Sequence, residues 1–270
     1  MRVIAIVNQK GGSGKTTTAV NLAAALGEKD RRVLVIDLDP QASASNWYGM
    51  RDAGRGLLEV FTERKDLASL VRETEAPGVS LIPSSAWLVG IEKALAREKD
   101  AEMILRPKVA ALTGWDYILF DCPPTLGVLA VNALAASDEV LVPVESHVMA
   151  LDGLKALTST INTVKVNMDL PVLMGGIVAC RVDARTRHAL EVVEALRAAY
   201  PQFVYKTLIR ENVRLAECPS FGVPITQYDP NSHGAEDYRS LAAEVIGEEK
   251  KQAERKKSYA ASQQQKKKSA

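Results

Sequence analysis

The chain has 270 residues, 47% of them hydrophobic, and a formal net charge of +1, enough to bury one large α/β core and with no sign of a second full domain. Cys122, Cys180 and Cys218 are odd in number and widely spaced, which argues against a disulfide framework and against a paired-cysteine metal site. No apolar run approaches the ~20 residues of a membrane span, and nothing ahead of the first apolar run reads as a signal peptide.

Strand-like apolar runs are read at 3–7, 33–37, 79–83, 117–121, 139–144 and 172–178. Helical stretches are read at 15–29, 88–99, 101–112, 127–136, 150–166, 187–200 and 235–246. This alternation predicts an α/β fold, a mostly parallel, open, twisted sheet with helices on both faces and ligands outside the carboxyl ends of the strands. Residues 1–248 form the expected folded domain. The segment 249–270 reads as a basic tail, and disorder is expected after about Glu249. From residue 250 onward there are eight Lys/Arg against Glu254, a net +7, which leaves −6 for the body of a chain whose total is +1.

The first run leads into Lys10, Gly11, Gly12, Ser13, Gly14, Lys15, Thr16 and Thr17. A strand feeding a glycine-rich turn that opens a helix aims several backbone N–H groups at one point, which suits the phosphates of a nucleotide. Lys15 is placed to reach the β/γ-phosphates, and the Thr16 hydroxyl to ligate Mg²⁺. The standard spacing has a glycine at position 9; this chain has Gln9, with its glycines at 11 and 12.

After the second run, Asp37 and Asp39 bring two carboxylates to the mouth of the sheet, either of which could instead cap the next helix. Asp121 ends a hydrophobic strand and is stopped at once by Pro123 and Pro124, a pattern that holds Mg²⁺ in nucleotide hydrolases. Arg181, Arg185, Arg187, Arg210 and Arg214 are candidate phosphate contacts.

Lys10, Gly11, Gly12, Lys15 and Thr16 match the pattern Lys-Gly-Gly-x-x-x-Lys-Thr of the ParA/MinD group of deviant Walker-type ATPases. Within that group the chain most resembles the small ParA (Soj-like) partition ATPases. The resemblance covers about residues 1–248 and implies ATP and Mg²⁺ as cofactors. It implies an ATP-dependent homodimer in which Lys10 reaches the partner subunit's nucleotide. Asp39 is then the group that orients the attacking water, and Asp37 and Asp121 serve the Mg²⁺ shell. Segments 212–220 and 228–234 resemble the family's C-terminal motifs, which places Asn212 and Pro219 beside the adenine.

Implied partners are non-specific double-stranded DNA and a ParB-like centromere-binding protein, with no membrane and a cytoplasmic, nucleoid-associated location. The chain departs from the family at Glu211, Asn231 and His233, positions that often carry basic residues for DNA, and Cys218 stands where alanine is usual. Relatives that position non-DNA cargo share these motifs. A MinD-like membrane switch would need an apolar face near the C-terminus, where residues 250–270 offer only Tyr259 and alanines. An iron–sulfur carrier or a ligase of the dethiobiotin synthetase kind is disfavoured by the unpatterned cysteines and by the Asp37 to Gln41 segment.

Overall fold

The computed structural model describes residues 1–147 and 149–250, together with Glu254 and Ser258. Its strands are β1 (Arg2–Ile6), β2 (Val33–Asp37), β3 (Arg72–Glu73), β4 (Val79–Ile82), β5 (Tyr117–Asp121), β6 (Glu139–Glu145), β7 (Leu173–Val182) and β8 (Val204–Arg210). The helices are α1 (Lys15–Gly27), α2 (Ser43–Trp47), α3 (Gly56–Thr62), α4 (Ile91–Ala94), α5 (Leu105–Ala110) and α6 (Val128–Ala136). They continue with α7 (Ala150–Asn167), α8 (Arg187–Ala199), α9 (Val213–Phe221), α10 (Ile225–Tyr228) and α11 (His233–Gly247).

The eight strands form one sheet in the order β3-β4-β2-β5-β1-β6-β7-β8. All pairings are parallel except β3 with β4. The chain runs from β1 out to β4, returns to insert β5 between β2 and β1, and then builds β6, β7 and β8 on the far side. That reversal at β1 is the switch point at which such sheets bind ligands.

The central strands are buried on both faces, so their sequences read as continuous apolar runs rather than alternating ones. Val3, Ala5, Leu34, Ile36, Ile118 and Phe120 point into one core with α3, α5, α6 and α7. Ile4, Ile6, Val33, Val35, Tyr117 and Leu119 point into the other, with α1 and α11. The period of two thus sorts each strand between two helical layers. Helix α1 is buried on nearly every side because the sheet lies on one side and α11 on the other, and its Ala-rich sequence permits that close approach.

The predicted helix at 88–99 is a 3₁₀ turn over Ala86–Gly90 followed by the single turn of α4. Only Leu88, Ile91 and Leu95 of this stretch are buried, too few anchors for a longer helix. The predicted helix at 101–112 is a 3₁₀ turn, Ala101–Met103, and then α5; Pro107 sits in the first turn of α5, where its missing N–H costs nothing. Strands β3 and β8 and helices α2, α3, α9 and α10 are additional to the sequence reading, and β7 extends to Val182.

At the amino ends of the strands a charged network ties the C-terminal helix to the sheet. The buried Arg2 guanidinium pairs with Glu139 and donates to the Val245 carbonyl, while the Tyr205 hydroxyl donates to Glu248 (3.1 Å). Glu249 accepts from the Tyr117 hydroxyl (2.6 Å) and from Arg31 (3.2 Å). The chain is therefore anchored through Glu249. Most of the expected disordered tail falls outside the described residues.

Candidate active site

The glycine loop, Asp37 and Asp121 meet because β1, β5 and β2 are neighbours in parallel register, with Ile6 beside Asp121 and Asp121 beside Asp37. Gly12 and Gly14 take φ of +74° and +92°, a left-handed backbone that suits glycine. Asn8 braces the loop: its side-chain amide donates to the Pro143 carbonyl (2.7 Å) and its carbonyl accepts from the Lys10 N–H (3.0 Å).

A cavity of about 500 Å³ opens over this loop, lined by Gly11, Gly12, Gly14, Lys15, Thr16 and Thr17, with Asp39 and Pro124 on one side. Its far wall is the end of β7 and β8 and the start of α9, including Cys180, Arg181, Asn212, Val213 and Leu215, with Tyr238 of α11. The volume and the mixture of phosphate-binding loop and apolar wall fit a nucleotide.

Lys15 folds back over the loop, donating to the Lys10 carbonyl at 3.3 Å. Burial lowers its pKa, with the Asp121 and Asp39 charges acting the other way. Asp121 is fully buried, and burial, followed by the nearby Asp37 charge, pushes its pKa well up. The Thr16 hydroxyl and Lys15 ammonium favour the ionised form, yet neither Asp121 oxygen has a hydrogen-bond partner of proper geometry. Among the described residues, Ser13 Oγ is the other buried side-chain polar atom without a hydrogen-bond partner. A buried, unpartnered carboxylate beside the Thr16 hydroxyl fits a hard cation. No cluster of three or more His, Cys, Asp or Glu able to hold a metal occurs among the described residues.

Asp37 is also fully buried, and burial raises its pKa to about 6. Its carboxylate accepts from the Asp39 N–H (3.1 Å) and from the Ser45 N–H (2.9 Å) and hydroxyl (2.7 Å). It thus braces α2, the alternative role read from the sequence. Asp39 lies at the cavity, with one carboxylate oxygen accepting from the Gln41 N–H (2.9 Å).

Lys10 does not line the cavity. Its ammonium is drawn outward to Glu145 of β6 (2.7 Å) and touches the His147 ring, and Glu145 also pairs with Arg181 (3.1 Å). Nothing local in the sequence marks Glu145, which stands 135 residues from Lys10; only the β1–β6 pairing brings the two together.

The remaining predicted residues divide. Asn212 lines the cavity, but its side-chain carbonyl caps α9 by accepting from the Arg214 N–H (2.8 Å). Pro219 is exposed within α9, away from the cavity lining. Arg210, read as a phosphate contact, stands half-buried on the cavity wall, where its guanidinium pairs with the buried Asp237 (2.9 Å from Nε) and the exposed Glu236 (2.7 Å) and ties β8 to α11. Arg181, in a left-handed backbone at φ +53°, belongs to the cavity wall. Arg185, Arg187 and Arg214 are surface residues paired with Asp183 (2.8 Å), Glu191 (2.9 Å) and Glu217 (3.0 Å).

A parallel sheet with a glycine loop at its switch point, an inward lysine and a buried aspartate without a hydrogen-bond partner defines a phosphate-loop nucleoside triphosphatase. Comparison with known proteins gives the family. A family model described as an AAA domain matches residues 1–172. The sporulation initiation inhibitor protein Soj of Bacillus subtilis is 40% identical over 247 residues, covering 90% of this chain and 98% of the relative. The chromosome partitioning protein ParA of Myxococcus xanthus is 42% identical over 248 residues, covering 91% and 88%. The chain belongs to the Soj/ParA family of chromosome-partitioning ATPases. Among solved structures, cobyrinic acid a,c-diamide synthase from Mycobacterium smegmatis, with bound ATP analog and magnesium, superimposes with a TM-score of 0.80 at 31% identity, covering 93% and 96%. The protein is an ATPase, with ATP and Mg²⁺ as its cofactors.

Proposed function

We propose that the protein is an Mg²⁺-ATP-dependent dimerising switch that binds duplex DNA without sequence preference and moves or positions it with a ParB-like partner that stimulates hydrolysis. The observation that carries this reading is the outward course of Lys10, whose ammonium leaves its own phosphate loop for the Glu145 carboxylate while its side chain stays half-exposed. A cation so placed serves the terminal phosphate of a second copy better than its own.

The loop N–H groups from Gly11 to Thr17 bind the phosphates, and Lys15 swings from the Lys10 carbonyl to the β/γ-phosphates. Thr16 and Asp121 would hold Mg²⁺, with Asp37 behind them. When bound, the metal neutralises the charge that develops on the transferred phosphoryl group. Asp39 orients the attacking water, and Lys10 from the partner subunit completes the charge balance. Phosphoryl transfer asks for little more than such positioning and charge.

DNA contact falls to Arg185, Arg187 and Arg214, because exposed ion pairs of this kind contribute little and exchange readily for phosphate. A cytoplasmic, nucleoid-associated location follows from that reading, and among the described residues no helix is long and apolar enough to cross a membrane. The basic tail, residues 249–270, adds a second cationic segment to the 1–248 domain. The test is retention on random-sequence duplex DNA over a salt series. ATP-dependent retention at low salt that fades as salt rises supports the reading; equal behaviour with and without ATP, or no retention, favours a non-DNA cargo.

A further inference from the structure

The loop that carries Asp39 is closed by a ring of buried polar contacts whose members come from three parts of the chain. Asp37 accepts the Asp39 N–H on one oxygen and the Ser45 N–H and hydroxyl on the other. Ser45 Oγ accepts from the Ser84 N–H (2.8 Å), and the Ser84 hydroxyl donates to the Asp39 carbonyl (2.7 Å). Asp37 and Ser45 are 0% exposed and Ser84 is 2% exposed, so water does not compete for these bonds.

Asp39 is thereby gripped on both sides, its N–H through Asp37 and its carbonyl through Ser84. The grip matters because the following turn is strained: Ala42 takes a left-handed backbone at φ +53°, which alanine adopts only at a cost. The turn's own bonds are short-range, Gln41 N–H to Asp39 Oδ1 (2.9 Å) and Ala42 N–H to the Asp39 carbonyl (2.8 Å). Ser84, at the exit of β4 and 45 residues from Asp39, supplies a reference point in the rigid sheet. It does not line the cavity, so it has no contact with a nucleotide there.

We infer that Ser84 is a positioning residue for hydrolysis: with Ser45 as its second limb, it fixes the backbone of Asp39 and hence the direction in which the Asp39 carboxylate meets the attacking water. This rests on Asp39 being the water-orienting group. Steady-state turnover and the affinity for a fluorescent ATP analogue are measured on the full chain for wild type, Ser84→Ala, Ser84→Thr, Ser45→Ala and Asp39→Ala. Ser84→Ala lowers kcat by about 5- to 10-fold, the rate equivalent of one buried hydrogen bond. Its nucleotide affinity stays within about twofold, because the phosphate loop is untouched. Ser84→Thr, which keeps the hydroxyl, restores turnover.

Normal turnover in Ser84→Ala beside a dead Asp39→Ala overturns the inference. A fall in affinity that matches the fall in kcat also overturns it, since that is the mark of a merely structural hydroxyl. Normal turnover in Asp39→Ala overturns the underlying assignment of Asp39 instead. If Ser84→Ala does not fold, the contrast decides: Ser84→Thr active with Ser45→Ala slow supports the inference, and equal turnover in the two sinks it.

Discussion

The two ends of the sheet treat charge in opposite ways. At the amino ends, Arg2, Glu139, Glu248, Glu249, Tyr117 and Tyr205 satisfy one another inside the fold. At the carboxyl ends, Asp121 is buried without a hydrogen-bond partner of proper geometry, Lys15 rests on a long bond to a backbone carbonyl, and Lys10 is half-exposed and held by Glu145. One end spends its charges on stability; the other keeps them available for a ligand. Buried polar atoms without partners are rare in folded proteins, so their gathering at one spot identifies the site more firmly than any single motif.

Breaking the closed end has the largest expected effect. Glu139→Ala leaves the buried Arg2 guanidinium with the Val245 carbonyl and the more distant Glu248 (3.7 Å) and costs about 3 kcal/mol of folding stability. Chemical denaturation shows the loss, while ATP affinity in the folded fraction stays within about twofold. The converse holds at the open end. Lys15→Ala weakens ATP binding by roughly 100-fold, as expected for losing a charge-assisted contact of about 2–3 kcal/mol, without lowering the unfolding midpoint of the ligand-free protein. A Lys15→Ala protein that melts early would place Lys15 among the structural residues.

Magnesium removal sharpens the contrast further. With ATP at 100 times its dissociation constant, wild type gains about 2.7 kcal/mol of stability, and a chelator removes most of it. In Asp121→Asn the gain is small with or without Mg²⁺, and isothermal titration checks both cases. Smaller still is the arginine effect. Arg185→Ala or Arg187→Ala each reduces the slope of log affinity for DNA against log salt by about 1, whereas Arg210→Ala, which frees the buried Asp237, lowers stability instead. The gentlest probe is thiol alkylation near pH 8. Burial pushes the Cys180 and Cys218 thiols up to about 12 and Cys122 well up, so the thiolate fraction is minute and the folded protein resists iodoacetamide until it is denatured.

Local sequence made the central site legible. A strand, a glycine turn and a helix start are contiguous, and the runs ending in Asp37 and Asp121 are continuous apolar stretches because their strands are buried on both faces. The missing parts depend on tertiary contacts. Strand β8 reads as Val-Tyr-Lys-Thr-Leu-Ile-Arg, an edge strand with a half-polar pattern and no long apolar run. The partners Glu145, Ser84 and Asn8 carry no motif and gain their roles only through the pairing of β1 with β6 and the place of β4 beside β2. The Arg210–Asp237 pair is invisible in the sequence for the same reason: Asp237 lies 27 residues further on and meets Arg210 only because α11 packs beside β8.

The central claim is that ATP joins two copies of this chain at the open end through Lys10. Sedimentation velocity on wild type and Lys10→Ala, each with Mg²⁺ and a non-hydrolysable ATP analogue, tests it directly. The account predicts a dimer for wild type and a nucleotide-bound monomer for Lys10→Ala; a wild type that stays monomeric while saturated with the analogue would contradict it.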